Sequence, residues 1–164
     1  MAETLTNFFG EIGLSPYAVI IAISMLPFVE LRGGLIAAAI LNIPWYYAFP
    51  VCFVANMIPI PFILLFIRQI FKLLKKIKWF ATTIDKLENK ARKKGKKMQK
   101  GWLIGLILFV GIPLPGTGAW TGALIADLFD IRIRHSLPAI ATGVAMAGGI
   151  MLVVSYFIPG LFGF

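Results

Sequence analysis

The chain has one cysteine, Cys52, and one histidine, His135, among its 164 residues. A lone cysteine closes no intramolecular disulfide, and neither residue has the companions that a metal site needs. Cys52 therefore reads as a small buried apolar residue. There is no Gly-x-Ser-x-Gly elbow and no P-loop, which leaves hydrolase chemistry and ATP-driven work by this chain alone without a motif. The expectation is a protein that is not an enzyme and takes no cofactor and no metal. Charge is scarce too: 14% of residues are charged against 59% hydrophobic, and the mean hydropathy is +0.87. Those values lie outside the range of an ordinary soluble domain and predict an all-α, polytopic integral membrane protein. At roughly 20 residues per crossing, residues 1–164 make a single membrane domain of about four spans at most. Basic residues are also missing before the first apolar run, so the positive n-region of a secretory signal is absent and that run is expected to remain in the mature protein.

What charge there is sits in one block. Residues from Arg68 to Lys100 hold 13 of the 16 basic residues, opposed only by Asp85 and Glu88. The formal net charge of +9 is thus a linker property. A basic block between apolar segments is what the positive-inside rule produces, and anionic lipid, rather than nucleic acid, is its expected partner. Within it Ile70, Ile77, Ile84 and Ala91 recur every seven residues, with Leu73, Phe80 and Leu87 between them. This stripe predicts an amphipathic helix over linker 72–100 at the cytoplasmic interface, bracketed by Trp79 and Trp102; a solvated coiled-coil arm is the competing reading.

The stretch from Pro27 to Gly34 sets a helix breaker, Glu30, Arg32 and the pair Gly33-Gly34 inside an apolar run. An ionisable side chain in a bilayer costs roughly 2.5–3.5 kcal/mol on insertion scales, which makes both charges functional candidates. Before the break, Ser15 and Pro16 form a helix start, with Ser15 as N-cap. Further on, Pro50 to Phe71 is long enough to span, with Asn56 and Pro59-Ile60-Pro61 inside it. A second broken segment carries Pro113, Pro115, Gly116, Thr117, Gly118, Trp120 and Thr121, and Thr117 is the expected cap of its outgoing half-helix. Ser136 to Ile158 makes the last span. Its Ala141, Gly143, Ala145, Ala147 and Gly149 offer a packing face for a neighbouring helix or a second copy of the chain, hence a homodimer.

An offset of 88 aligns the halves without a gap: Leu26 with Leu114, Pro27 with Pro115, Gly34 with Gly122, Ala38 with Ala126, Ile43 with Ile131, Pro50 with Pro138 and Leu64 with Leu152. Repeat 1 then covers about 15–71 and repeat 2 about 101–158. Each broken segment is either one kinked crossing or a re-entrant hairpin. Only hairpins keep Arg132, Arg134 and His135 on the same side as the basic linker, as the positive-inside rule asks. The expected fold is an inverted repeat of two re-entrant helical hairpins, each followed by a transmembrane helix and joined by the basic cytoplasmic helix. Opposed half-helices are the architecture of secondary transporters, whose helix N-termini favour anionic groups. Arg32 is then the candidate holder of an anionic substrate group, with the Gly116-Thr117-Gly118 turn as a backbone nest, and Glu30 the candidate proton carrier. The competing role for the pair is a structural salt bridge between the halves.

With Pro27, Glu30, Arg32, Gly33 and Gly34 in the first half and the run from Pro113 to Gly122 in the second, the chain resembles the small multidrug export protein family of prokaryotic membrane proteins. The resemblance covers nearly the whole chain. More distantly the paired broken segments resemble the DedA-like, VTT-domain superfamily, associated with moving lipids, including polyprenyl phosphates, across bilayers. That likeness implies acids and arginines on both hairpins, whereas here the second has neither between Gly101 and Ala126. The resemblance implies a transporter or lipid flippase in the prokaryotic cell membrane that moves an amphipathic substrate. Lipophilic cations, with Glu30 as counter-ion, are the other substrate class. The alternative to transport is a membrane scaffold in which Glu30 and Arg32 lock the halves together.

Overall fold

The computed structural model describes residues 15–74, 99–114, 116–129 and 131–158, and every element they form is helical. The basic helix expected over 72–100 lies almost wholly outside them, as do Pro115, Glu3 and Glu11. In chain order the elements are α1 (Pro16–Met25), α2 (Glu30–Ile40), α3 (Trp45–Met57), α4 (Pro59–Leu74), α5 (Gln99–Gly111), α6 (Ala119–Leu128) and α7 (Ile133–Leu152), with a π-helical turn (Val153–Phe157) continuing α7.

Helix α1 starts as its sequence dictates. Ser15 is extended, its Oγ accepts from the Ala18 N–H at 3.2 Å, and Pro16 takes the first turn, where a missing N–H costs nothing. The helix stops at Leu26 because Pro27 follows: the residue before a proline is driven to extended backbone, and Leu26 has ψ 136°. The chain resumes helix at Glu30, and α2 lies alongside α1. The packing requires glycine. A Cβ on Gly34 would run into the Ser24 Oγ of α1 and reach 3.0 Å from the Cys52 Sγ. The second unit repeats the arrangement 88 residues on, where a Cβ on Gly122 of α6 would lie 2.5 Å from Val110 of α5.

The same offset aligns the ends of the elements. Helices α2 and α6 end at Ile40 and Leu128, and α3 and α7 begin at Trp45 and Ile133. The intervening turns close alike, with the Ile43 N–H on the Ala38 carbonyl and the Ile131 N–H on the Ala126 carbonyl, each at 2.9 Å. Pro50 and Pro138 are the sixth residues of their helices.

Two helical stretches are long and apolar enough to cross a membrane, Trp45–Phe66 with 22 residues and Ile133–Phe157 with 25. At ~1.5 Å rise the shorter covers ~33 Å, against a hydrocarbon core of ~30 Å. The first begins five residues earlier than the sequence suggests. Pro44, extended at ψ 137°, serves as N-cap, so Pro50 is carried inside the helix instead of opening it. The chain also stays helical across Pro59 and Pro61, with only Ile58 between α3 and α4. Large apolar side chains such as Val54, Phe62, Leu65, Phe66 and Ile104 are exposed, an outer surface suited to lipid rather than water. Inside, Ile20, Leu31, Leu35, Ile60, Val110 and Ile140 are fully buried. The small residues of α7 admit neighbours from the same chain: a Cβ on Gly143 would be 2.7 Å from Val110 of α5, and one on Gly148 2.5 Å from Phe49 of α3.

Candidate functional site

The break between α5 and α6 leaves two helix ends, the start of α6 buried at Ala119 and the end of α5 running into a loop with exposed Ile112 and Leu114. Helix α5 ends in unpaired carbonyls and partial negative charge, and α6 begins with unpaired N–H groups and partial positive charge. The loop of residues 112–118 closes part of this deficit itself, through Leu114 N–H to Ile112 O at 2.8 Å and Thr117 N–H to Leu114 O at 3.2 Å. Gly116 at φ 80° and Gly118 at φ 148° take the backbone where other residues are strained. No acid or arginine within the loop serves the two ends.

The missing charges come from α2. Both carboxylate oxygens of Glu30 sit on the start of α6, where Oε2 accepts from the Ala119 N–H and Oε1 from the Trp120 N–H, each at 3.1 Å. Arg32 serves the opposite end. Its Nη1 donates to the Leu114 carbonyl at 2.7 Å, and its Nη2 lies 3.2 Å from Val110 O, 3.3 Å from Ile112 O and 3.1 Å from the Thr117 hydroxyl. The anion is on the positive helix end and the cation on the negative one. Two residues apart on a helix turn through ~200°, which is why neighbours in sequence reach different partners.

Two local features make Glu30 depend on its surroundings. It has φ 54°, a left-handed conformation costing of order 1–3 kcal/mol for a non-glycine residue. It is also 5% exposed, so its carboxylate depends on the protein for hydrogen bonds. Gly118 makes the room, since a Cβ there would occupy the Glu30 Oε2 position. At the offset of 88, Gly118 is the counterpart of Glu30 itself. Where the two units meet, one carries a carboxylate and the other the space to receive it.

The remaining sequence candidates divide. Thr117 does not cap α6 as expected. Gly118 is the N-cap residue, and the Thr117 hydroxyl turns back, 2.8 Å from Leu114 O and 2.9 Å from Ile112 O, while facing Arg32. Trp120 contributes its backbone N–H, and its buried indole Nε1 has no partner. Thr121 donates to Gly118 O at 3.3 Å. Gly33 packs against Val29 and Ile23, so with Gly34 it sets helix spacing. Pro113 is half-buried in the loop, and Gly116 is at its exposed tip. Of the Gly116-Thr117-Gly118 turn the Thr117 N–H is taken by the Leu114 carbonyl, and Arg32 is engaged by three backbone carbonyls and the Thr117 hydroxyl. Asn56 shares a small cavity with Glu30 and Arg32. Sequence reasoning missed the carbonyls of Val110, Ile112 and Leu114 and the Ala119 N–H, because backbone groups have no letter of their own. Among the described residues no cluster of three His, Cys, Asp or Glu side chains could hold a metal.

Two apolar helices of spanning length, with two broken units joined through Glu30 and Arg32, make a helical membrane protein. The family model described as "Putative small multi-drug export protein" matches residues 30–150, and the chain belongs to that family. No curated protein and no solved structure matches it.

Proposed function

We propose that the protein is an export-type membrane transporter built as an inverted repeat of two re-entrant hairpins, in which Glu30 carries the coupling proton. One observation carries this reading: a buried carboxylate of one half is the cap of a broken helix in the other. An ionised carboxylate accepts from two N–H groups at once. A proton on it converts one oxygen into a donor aimed at other donors, so protonation loosens α2 from α6. Binding and release of one proton at Glu30 thereby opens and closes the contact between the hairpins, which is what alternating access requires. The positive-inside rule favours this topology, because the hairpin arrangement puts Arg132, Arg134 and His135 on the side of the basic linker in a prokaryotic cell membrane.

The substrate is an amphipathic molecule reaching the hairpins from the lipid. Lipid phosphates and lipophilic cations are the two classes that the site's charges can recognise, the former by competing for Arg32 and the latter by competing for Glu30. A second reading has its own observation. The Glu30 and Arg32 hydrogen bonding is complete enough to be a permanent lock, as in a membrane scaffold. The test is export from proteoliposomes under an imposed pH gradient, with tetraphenylphosphonium and a fluorescent polyprenyl phosphate as probes. Gradient-driven movement of one probe that is lost in Glu30→Gln, with the melting transition retained, supports the proposal. Equal transport in Glu30→Gln overturns the proton role, and no movement of either probe by the native chain puts the scaffold in its place.

A further inference from the structure

The cavity beside Glu30 is lined by Glu30, Leu31 and Arg32 of α2, Asn56 of α3, Val110 of α5, and Val144 and Ala147 of α7. Asn56 is 1% exposed, and neither its amide oxygen nor its amide nitrogen has a partner. A primary amide buried on an apolar face without hydrogen bonds is costly, and at the offset of 88 its counterpart is Val144, an apolar residue that fits the same place in the other half. Asparagine therefore brings to this position a donor and an acceptor that packing does not require.

We infer that this cavity seats one water molecule, hydrogen-bonded to Asn56 and placed to pass protons to and from Glu30. Size and charge select the occupant. The free room is about 10 Å³, close to what a single water needs and far below any drug or lipid headgroup. Among the described residues the only charged groups on the cavity are Glu30 and Arg32, of opposite sign; α3, α5 and α7 contribute Asn56, Val110, Val144 and Ala147, and α6 meets Glu30 through backbone N–H groups. Opposite charges on one wall favour neither a bare cation nor an anion. A neutral molecule with both donors and acceptors matches Asn56. The step balances simply: as an O–H bond forms at Glu30, one breaks in the water, which regains a proton from the aqueous side, and the reverse sequence releases it.

The use of this water rests on the proton-coupled reading above, but its presence does not, and the test separates the two. The carboxyl band of Glu30, assigned by its loss in Glu30→Gln, is followed by infrared spectroscopy after a pH jump in the purified full-length protein. Asn56→Leu removes both hydrogen-bonding groups at similar volume, and Asn56→Ser keeps a hydroxyl. Should Asn56→Leu not fold, Asn56→Val, with the residue of the counterpart position, reads the same quantity. Relaxation slowed about tenfold or more in the apolar variant and close to native in Asn56→Ser supports the site. The native rate in the apolar variant, or equal slowing in both, overturns it. Residue-56-dependent relaxation without any transport leaves the water site standing and removes the transporter reading; proton-driven export with unchanged relaxation does the reverse.

Discussion

The two broken units are alike in where their second half-helices pack and end and opposite in chemistry. Both have a glycine, Gly34 or Gly122, where the half-helices touch, both end their second half-helix at the same offset, and both lead into a long helix with a proline at its sixth position. Yet the first unit carries Glu30 and Arg32 at the start of α2, and the second break, from Ile112 to Gly118, carries no charge. The charged unit is short and sharply turned, while the uncharged one opens two helix ends that need charge. The two units thus divide the labour: one keeps the ionisable side chains, the other the backbone dipoles they satisfy. The absence of charge in the second break is the complement of what the first unit supplies.

The strongest way to break this comparison is to exchange the charges. Glu30→Arg combined with Arg32→Glu preserves composition and the local pair, so a simple mutual salt bridge would tolerate it. Served as the structure has it, the exchange sets a cation on the α6 N–H groups and an anion on the α5 carbonyls. Charge-assisted bonds contribute roughly 1.5–3 kcal/mol each, and losing several approaches the ~5–15 kcal/mol by which a whole domain is stable. The double variant is expected to yield no monodisperse protein in detergent, whereas a normal size-exclusion profile and melting transition would mean that the pair acts within its own hairpin.

A smaller change sharpens the comparison from the uncharged side. In Gly118→Ala the added methyl occupies the space of the Glu30 carboxylate, and the backbone at φ 148° disfavours any side chain. Overpacking costs about 1–3 kcal/mol, so a clear drop in melting temperature is expected. The decisive point is the partner. Made in a Glu30→Gly background, where the carboxylate is gone, the same alanine should cost measurably less, and strictly additive losses would show that the two positions do not meet.

Much of this was legible in the sequence. The apolar runs, the stops at Pro27 and at Pro113 to Gly118, the Ser15 cap and the 88-residue offset all follow from side-chain chemistry, and the element ends fall where that offset sets them. Glu30 and Arg32 were legible as important because charge is expensive in an apolar run. Their partners were not. The acceptors of Arg32 are carbonyls of Val110, Ile112 and Leu114, residues whose side chains say nothing about it, and they lie about eighty positions away. Thr117 misled for a related reason. A threonine before a helix is ordinarily its cap, but the carboxylate of Glu30 already holds the α6 N–H groups, so the hydroxyl is free to serve the other end.

That reassignment gives the smallest effect and the finest test. The Thr117 hydroxyl stands between the loop carbonyls and Arg32 Nη2, so it relays the guanidinium charge to the backbone instead of capping α6. Thr117→Val keeps the shape and removes the hydroxyl, and one neutral hydrogen bond contributes about 1 kcal/mol. The expected result is a modest fall in melting temperature for Thr117→Val and almost none for Thr117→Ser, which retains the oxygen. The comparison of interest is with Arg32→Lys, which cannot reach all of its acceptors from one ammonium. If Thr117 acts through the guanidinium, its valine variant costs less in the Arg32→Lys background than in the native chain. An N-cap of α6 would instead cost the same in both, because the start of that helix is held by Glu30 and owes nothing to residue 32.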